Sequence, residues 1–328
     1  MRSWIVVAAV MAVTGATGTS TDLRLAQAAS LELPGNATRL DYQSLDPQKH
    51  LLFVAHLGDG NIIVVDTKTR RVVATIPNVD AVHGVLAVPD DDVVFASATG
   101  TNEVVAFDEL TLEEKWRAVG GIYPDGLAYD PHARHLFVSD EHGQTETVID
   151  TTTHRAIATI PLGGEAGNSQ YDPISRHVFV NVQTSRQLVE IDPARNAVVQ
   201  RYSVGGSGCA GNHGLLIDAR KRRAFIACED SNSLLWIDMR DMRIVQTWIV
   251  GKQPDVLALD IKTGRLFVAS ESGVVSIFAD KERVTLLAQA YLGPNAHTVA
   301  VNPRTQLVYF PLEDVAGKPV LRIMEERP

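Results

Sequence analysis

Histidine and aspartate recur at a fixed spacing along this chain, and both residue types can bind metal ions or transfer protons. They fill six of seven equivalent positions, and a glycine fills the other: Asp41, His83, Asp125, Gly167, His213, Asp255 and His297. The successive intervals are 42, 42, 42, 46, 42 and 42 residues. The chain of 328 residues has only 10 histidines, yet three fall on these positions, so chance explains the pattern poorly.

Glutamates form a second set with the same spacing. They lie sixteen residues after four of the seven positions: Glu141, Glu229, Glu271 and Glu313. Each of the seven positions precedes a short apolar segment, and each glutamate follows the next such segment. If the two segments are neighbouring antiparallel strands, both sets of residues gather at one opening. We therefore call the seven positions the mouth ring.

Imidazole and carboxylate groups together suit a divalent ion such as zinc, copper, nickel, iron or manganese. The predicted metal ligands come from units that are adjacent in a closed ring: Asp41, His83, Asp255 and His297. The predicted contacts to a small polar ligand are Asp125, His213, Glu141, Glu229 and Glu271. If the mouth is catalytic, the candidates are His297 or His83 as the base and Glu313 as a secondary acid.

Two other interpretations of the mouth ring require no metal. Protonated histidines could pair with the carboxylates, and water could fill the remaining space. Alternatively, the ring residues could cap turns and make hydrogen bonds between repeats, and Pro124-Asp125-Gly126 is a good turn sequence. Capping accounts for the aspartates better than for the histidines.

The elements that must position these residues are short apolar segments in seven repeated units. Each unit has an aromatic residue twelve residues after the ring position: Phe53, Phe95, Phe137, Phe179, Phe225, Phe267 and Tyr309. The third unit shows four strand-sized segments, GLAYD, HLFVSD, ETVID and AIATIP. A period near 42 residues with four strands in each unit predicts an all-β, seven-bladed β-propeller with four-stranded antiparallel blades.

The seventh unit supplies three of its four segments, the last from Pro319 to Met324. The segment Leu31 to Pro34 resembles the fourth segments of other units, such as Ala158 to Pro161. We therefore expect the N-terminal strand to complete the last blade and close the ring, which removes an exposed sheet edge.

The N-terminus predicts export. Arg2 precedes an apolar run from Trp4 to Val13, and Ala26-Gln27-Ala28 is a small-x-small cleavage sequence. We predict a signal peptide over residues 1–28 and a single propeller domain over residues 29–328, located in the periplasm or secreted. No later apolar run approaches the roughly 18 residues of a membrane helix, so no membrane span is expected.

Composition limits the partners. Hydrophobic residues make up 45% of the chain and charged residues 21%, a balance typical of globular proteins. The net charge of −9 makes nucleic acid an unlikely partner, because phosphate backbones are bound by clustered lysine and arginine. A small polar ligand, a metal ion or another protein fits this charge better.

The two cysteines, Cys209 and Cys228, lie on either side of His213 in the sequence. A disulfide between the loop and the end of the second strand fits an oxidising compartment. A thiolate site for copper or zinc with His213, or two unpaired thiols, are the alternatives.

The repeated D-P-x-x-x-x-L-F-V pattern, followed by V-I-D-T-T-T and I-A-T-I-P-L-G, resembles the YVTN-type propeller repeats of YncE-like periplasmic proteins. The resemblance covers nearly all of residues 29–328 and implies a seven-bladed, exported protein. Some relatives bind single-stranded DNA, but the acidic charge and the lack of repeated exposed aromatics disfavour that here.

Three functions remain open at this stage. The chain could be a binding protein that holds a divalent metal ion or small polar ligand at the channel mouth. It could be a metal-dependent lyase or lactonase-type hydrolase that uses the same mouth. It could also be a protein-interaction scaffold without a small ligand.

Overall fold

Valine, isoleucine, leucine and phenylalanine fill the segments between turns rich in Asp, Gly and Thr, and such residues favour strands. In the computed structural model, which describes residues 22–327, these segments form 28 strands in seven four-stranded sheets. The strands within each sheet are antiparallel, which confirms the predicted all-β, seven-bladed propeller.

The first strands along the chain are β1 Leu25–Glu32, β2 Gln43–Asp46, β3 Leu51–His56, β4 Asn61–Asp66, β5 Arg71–Ile76, β6 Val82–Val88, β7 Val93–Ala98, β8 Glu103–Asp108 and β9 Glu114–Val119. The next are β10 Pro124–Asp130, β11 His135–Asp140, β12 Thr145–Asp150, β13 Arg155–Pro161, β14 Ala166–Asp172, β15 His177–Val182, β16 Gln187–Asp192 and β17 Ala197–Ser203.

The remaining strands are β18 Asn212–Asp218, β19 Arg223–Cys228, β20 Ser233–Asp238, β21 Arg243–Ile249, β22 Pro254–Asp260, β23 Arg265–Ser270, β24 Val274–Asp280, β25 Val284–Tyr291, β26 Ala300–Val301, β27 Leu307–Leu312 and β28 Val320–Glu326. Short 3-10 turns occupy Leu57–Asp59, Pro89–Asp91, Thr99–Thr101 and Gly205–Ser207. Blades one to six are consecutive groups of four strands, beginning at β2, β6, β10, β14, β18 and β22. Blade seven has the strand order β1-β28-β27-β26.

Burial decreases from the middle strands of each blade to the outer one. In blade three, β11 is buried along nearly its whole length, whereas most of β13 is exposed. Strands covered on both faces need apolar residues at successive positions, which explains runs such as Leu136-Phe137-Val138. The middle strands therefore carry the strongest hydrophobic signal in the sequence.

A hydrophobic cluster fills each interface between neighbouring blades. Phe137 of blade three packs against Val178 and Val180 of blade four, and equivalent clusters occur around the ring. One cluster joins blade seven to blade one, where Tyr309 packs with Leu52. The blades therefore surround a central axis, and their first strands bring residues far apart in sequence to one opening.

Strand β1 is the outer strand of blade seven and pairs antiparallel with β28, from Leu25 opposite Glu326 to Glu32 opposite Val320. The predicted cleavage after Ala28 falls inside this strand. It would remove Leu25, which is buried in the core between blades six and seven. Of the predicted signal peptide, residues 1–21 lie outside the described residues. No helix between residues 22 and 327 is long and apolar enough to cross a membrane.

Candidate metal centre at the channel mouth

The mouth ring lies at the beginning of the first strand in each blade. Four members are the second residues of first strands, namely His83 in β6, Asp125 in β10, His213 in β18 and Asp255 in β22. Gly167 holds the same position in β14, whereas Asp41 and His297 come just before β2 and β26. Five of the six acidic or imidazole members also line a single cavity of about 630 Å³.

A β-bulge directs the ring side chains. In blade three, Pro124 pairs with Asp140 and Leu127 pairs with Val138, so Asp125 and Gly126 together face one residue of the partner strand. The same shift occurs at the ring position of β6, β14, β18 and β22. Bulges bend a strand and re-aim its side chains, and they are common beside functional sites. Strand pairing alone would not place the ring side chains in this way.

Glycine after the ring residue allows neighbouring first strands to approach closely. A Cβ on Gly84 would lie 2.2 Å from the carbonyl oxygen of Asp125, and one on Gly214 would lie 1.8 Å from that of Asp255. Any larger residue at these two positions would push the strands apart. The glycines therefore hold ring residues of adjacent blades within interaction distance.

His297, Asp41 and Asp255 form a compact buried trio. The Nε2 atom of His297 lies 3.4 Å from Oδ1 of Asp41 and 3.9 Å from Oδ2 of Asp255. All three side chains are at most 3% exposed. The Nδ1 atom of His297 lies 3.1 Å from the carbonyl oxygen of Asn295, which can only accept, so Nδ1 carries a hydrogen. Nε2 therefore faces two carboxylates and needs either a proton or a metal ion there.

Several buried carboxylate oxygens at the mouth accept no hydrogen bond. They are Oδ2 of Asp41, Oδ1 of Asp125 and Oδ1 of Asp255. Leaving a buried polar atom without a partner costs about 1–3 kcal/mol, and more when the group is charged. A bound cation would satisfy these oxygens.

His213 occupies the other half of the mouth. Its Nε2 atom lies 2.8 Å from the hydroxyl of Tyr42, and that hydroxyl donates to Oδ1 of Asn168 at 2.7 Å. The hydroxyl oxygen of Tyr42 is thus placed to accept the Nε2 hydrogen of His213. The Nδ1 atom of His213 lies 3.5 Å from Oε1 of Glu229. Protonated His213 therefore directs its Nδ1 hydrogen toward Glu229, and loss of that proton would leave a lone pair there.

Charge and burial shift the pKa values of these groups. Burial raises the pKa of Asp125 to about 7, although His213 and His83 partly offset it. Burial likewise raises the pKa of Glu229 to about 7. Burial acts to lower the pKa of His213, but Glu229, Asp255 and Asp125 outweigh it and raise that pKa to about 9.

The pKa values of the trio move in opposite directions. Burial opposes both changes, but the contact with His297 lowers the pKa of Asp41, and the contact with Asp41 together with the charge of Asp255 raises the pKa of His297. Without a metal, an imidazolium thus pairs with the carboxylate. A divalent ion would take the place of that proton, so its binding releases protons.

His83, a predicted metal ligand, lies beside the trio rather than in it. Its Nδ1 atom is 2.9 Å from the carbonyl oxygen of Ala81, and its Nε2 atom is 3.1 Å from the hydroxyl of Tyr123. It contacts Asp41 at 3.9 Å, from Nε2 to Oδ2. Because Nδ1 donates its hydrogen to the carbonyl oxygen of Ala81, the Nε2 atom of His83 is the one that faces the cavity.

The four glutamates have different surroundings. Glu141, Glu229 and Glu271 line the cavity, where Glu271 pairs with Arg39 at 2.7 Å. Glu313 does not line the cavity and accepts a hydrogen bond from Nδ2 of Asn295 at 2.8 Å. Glu313 therefore lies apart from the three glutamates at the cavity surface, and His297 does not line the cavity either.

Sequence reasoning missed Arg39, Tyr42 and Tyr123, which also line the cavity. Arg39 and Tyr123 both stand two residues before a mouth-ring position, and Tyr42 stands one residue after one. Inspection of the positions that flank the ring, in addition to the ring itself, would have found them. They do not recur between blades, so the repeat gave no signal for them.

Cys209 and Cys228 are joined by a disulfide, with 2.04 Å between the sulfur atoms. Both residues are fully buried in the core between blades four and five. Because both sulfurs are bonded, the alternative of a thiolate metal site with His213 is excluded in this structure.

No family model and no curated protein sequence matches the chain. Solved propellers do match in structure. One is a chain of Kuenenia stuttgartiensis hydrazine synthase, with 16% identity and a TM-score of 0.72 over 88% of this chain and 96% of that one. The WD40 repeats of RRP9 match with 11% identity and a TM-score of 0.76, over 92% of this chain and 100% of that one.

A chain of the mitotic checkpoint complex matches with 11% identity and a TM-score of 0.76, over 99% of this chain and 98% of that one. At these identities the likeness shows the fold alone. A propeller fold is consistent with a binding or scaffold role. The narrower likeness to YVTN-type, YncE-like proteins rests on the repeat sequence alone, since no family model and no curated protein supports it.

Proposed function

We propose that this chain is an exported β-propeller that binds a divalent metal ion at its channel mouth through Asp41, Asp255 and His297. The observation on which the proposal rests is the position of the buried Nε2 atom of His297. It faces two carboxylates while Nδ1 is committed to a backbone carbonyl. Metal-bound histidines commonly donate their second ring hydrogen to a carbonyl or carboxylate in this manner.

The donor set suggests the class of ion. One imidazole and two carboxylates suit manganese, iron, cobalt, nickel or zinc, whereas calcium and magnesium prefer oxygen donors alone. The ring oxygen atoms without hydrogen-bond partners would gain a ligand. The donor atoms of the trio lie within 4.8 Å of one another, so modest side-chain movement brings them to metal-binding distance.

Export is supported by two features. The apolar run Trp4 to Val13 follows Arg2, as in a signal peptide. The buried disulfide Cys209–Cys228 suits an oxidising compartment. Packing of Leu25 in the core favours a cleavage point upstream of β1 over one after Ala28.

Binding fits the mouth better than catalysis does. The predicted secondary acid, Glu313, is held by Asn295 and does not line the cavity, so catalysis there would need one of the cavity glutamates in its place. A scaffold without a small ligand has no need of a buried imidazole between two carboxylates, which His297 forms with Asp41 and Asp255. The mouth ring therefore favours a cation-binding protein.

Metal titration tests the proposal. Protein treated with a chelator and then dialysed should bind Zn²⁺ or Mn²⁺ in isothermal titration calorimetry, and His297→Ala should weaken the tightest site about 100-fold. The matched control is His177→Ala. His177 pairs with Glu190 at 2.6 Å in blade four, which contributes no residue to the trio. Absence of saturable binding to either ion, or an equal loss in His177→Ala, would contradict the proposal.

A further inference from the structure

Asp255 lies between two histidines. Its Oδ2 atom is 3.9 Å from Nε2 of His297, and its Oδ1 atom is 3.9 Å from Nε2 of His213. The two oxygens of one carboxylate thus face opposite halves of the mouth. Oδ1 accepts no hydrogen bond, although the Asp255 side chain is only 3% exposed.

The half that contains His213 has its own set of donors. Ligand atoms of His213, Glu229 and Asp255 lie within 4.8 Å of one another. The hydroxyl of Tyr42 accepts from Nε2 of His213, which leaves the Nδ1 lone pair 3.5 Å from Glu229. Nδ1 of His213 thus faces Glu229 and Nε2 faces Asp255, so the imidazole stands between the two carboxylates of this half.

With all carboxylates ionised and the histidines neutral, as metal binding requires of the ligands, the charge at the mouth exceeds what one divalent ion can neutralise. The cavity is lined by six carboxylates and one guanidinium, which leaves five negative charges when all are ionised and the histidines are neutral. One divalent ion would leave three of those charges unbalanced. A second would leave one, so the two halves together can hold two ions without an excess of positive charge.

We propose that Asp255 bridges two divalent ions, one held with Asp41 and His297 and the other with His213 and Glu229. This inference rests on the proposed metal-binding function and adds a second ion to it. In proteins, a pair of divalent ions with shared ligands is typically about 4 Å apart. Tyr42 is a positioning residue of the second site, because it selects the tautomer of His213.

The test uses the full chain and Mn²⁺ alone. Titration of the metal-free protein should saturate at two ions per chain, and electron paramagnetic resonance should show exchange coupling once the second ion binds. Glu229→Gln should weaken the second site about 100-fold while the first remains. Asp41→Asn should weaken the first site by a similar factor and abolish the coupling.

Glu190→Gln is the control for Glu229→Gln. Glu190 pairs with His177 in blade four, does not line the cavity and belongs to neither set of ligands. This variant should still bind two coupled ions. Asp255→Asn should bind both ions more weakly and lose the coupling, and circular dichroism should show that each variant is folded.

The outcomes separate the two proposals. If the protein binds one ion and Glu229→Gln leaves its affinity unchanged, the second site does not exist and the single-site function stands. If the protein binds no Mn²⁺ and no Zn²⁺, the proposed function itself fails. Two ions without exchange coupling, or coupling that persists in Asp255→Asn, would rule out the bridge.

Discussion

In five of the seven blades, the first strand has a polar residue near each of its ends, and these two residues have different partners. Five residues after each mouth-ring position lies a second ring, at the turn between the first and second strands. We call this the hairpin ring: Asp46, Val88, Asp130, Asp172, Asp218, Asp260 and Asn302. Both rings contain buried aspartates, which makes them a controlled comparison within one molecule.

Aspartates of the hairpin ring are bonded to the backbone. Asp130 accepts from the amides of His132 and Ala133 at 2.9 and 3.4 Å through one oxygen. Asp260 does the same with the amides two and three residues further on. Such bonds are those of an Asx turn and hold the hairpin in shape.

Aspartates of the mouth ring have imidazoles as neighbours instead of amides. Asp125 and Asp255 lie 3.7 and 3.9 Å from Nε2 of His213. An oxygen without a hydrogen bond occurs in both rings, at Oδ1 of Asp255 and at Oδ2 of Asp260, so the imidazole contacts make the difference. The structure therefore assigns turn capping to the hairpin ring. The same residue type on the same strand bonds to the backbone at one end and contacts imidazoles at the other.

The largest expected effect on stability is at Asp172 of the hairpin ring. Its carboxylate accepts from the amides of Ile174 and Ser175 and from Arg222 at 2.7 Å. Asp172→Ala leaves Arg222 and the turn amides without this partner, so the free energy of unfolding should fall by about 3 kcal/mol. Denaturant unfolding measures the loss.

Mn²⁺ affinity should not change in Asp172→Ala. Blade four contributes only Gly167 to the mouth ring, and glycine has no side chain that could bind the ion. Asp241→Ala, which removes an exposed ion pair with Arg243, is the control and should cost less than about 1 kcal/mol. Lost Mn²⁺ binding with unchanged stability would contradict the comparison between the two rings.

A smaller effect is expected from pH on the metal-free mouth. The raised pKa of Asp125 and of Glu229, each about 7, means that the folded state holds these protons more tightly than the unfolded chain. Their contribution to stability is therefore lost as pH rises from about 4 through 7. The contribution of His213 is full below pH 6.5 and is lost as pH rises through about 9. All three changes have the same sign.

Chelator-treated protein should accordingly lose about 2 kcal/mol of unfolding free energy between pH 5 and pH 9, less than the sum of the three shifts because these neighbouring groups titrate together. Denaturant unfolding at several pH values measures this slope. Mn²⁺ should reverse it, because metal binding competes with protons. Asp125→Asn should flatten the slope and Asp130→Asn should keep it; a flat profile in the unmodified protein would show that the mouth carboxylates are not strained by burial.

The smallest expected effect is from asparagine in the hairpin ring. Blade seven already has Asn302 there, and its Oδ1 accepts from the amides of Arg304 and Thr305. Asp260→Asn should therefore change the free energy of unfolding by less than about 1 kcal/mol and leave Mn²⁺ affinity unchanged. Thermal unfolding and calorimetry measure both quantities, and a large loss of affinity would show that the two rings are not separate in function.

Much of the fold could be predicted from the sequence because its signal is local. Each repeat has its own aromatic at a constant distance from the ring position, as Phe137 follows Asp125 and Phe267 follows Asp255. The mouth residues could be predicted as a group for the same reason. Their individual roles could not, since capping and ligand binding both favour aspartate.

Particular residues show where sequence reasoning stopped. Glu313 shares the spacing of Glu229, yet Asn295 holds it outside the cavity. His83 shares the spacing of His297, yet its Nε2 atom meets Tyr123. No other blade has an arginine at the position equivalent to Arg39, so the repeat pattern did not predict that this residue lines the cavity. Side-chain partners, which differ from blade to blade, decided these cases.

The sequence by itself determined the number of blades, the order of strands within a repeat and the residues near the channel mouth. Only the tertiary structure decided which of those residues meet, because their partners lie in other blades. Asp41 and His297 are 256 residues apart and come together where blade one meets blade seven. A periodic sequence specifies the repeating unit, whereas contacts between units depend on the bulges and glycines that set how closely neighbouring first strands approach.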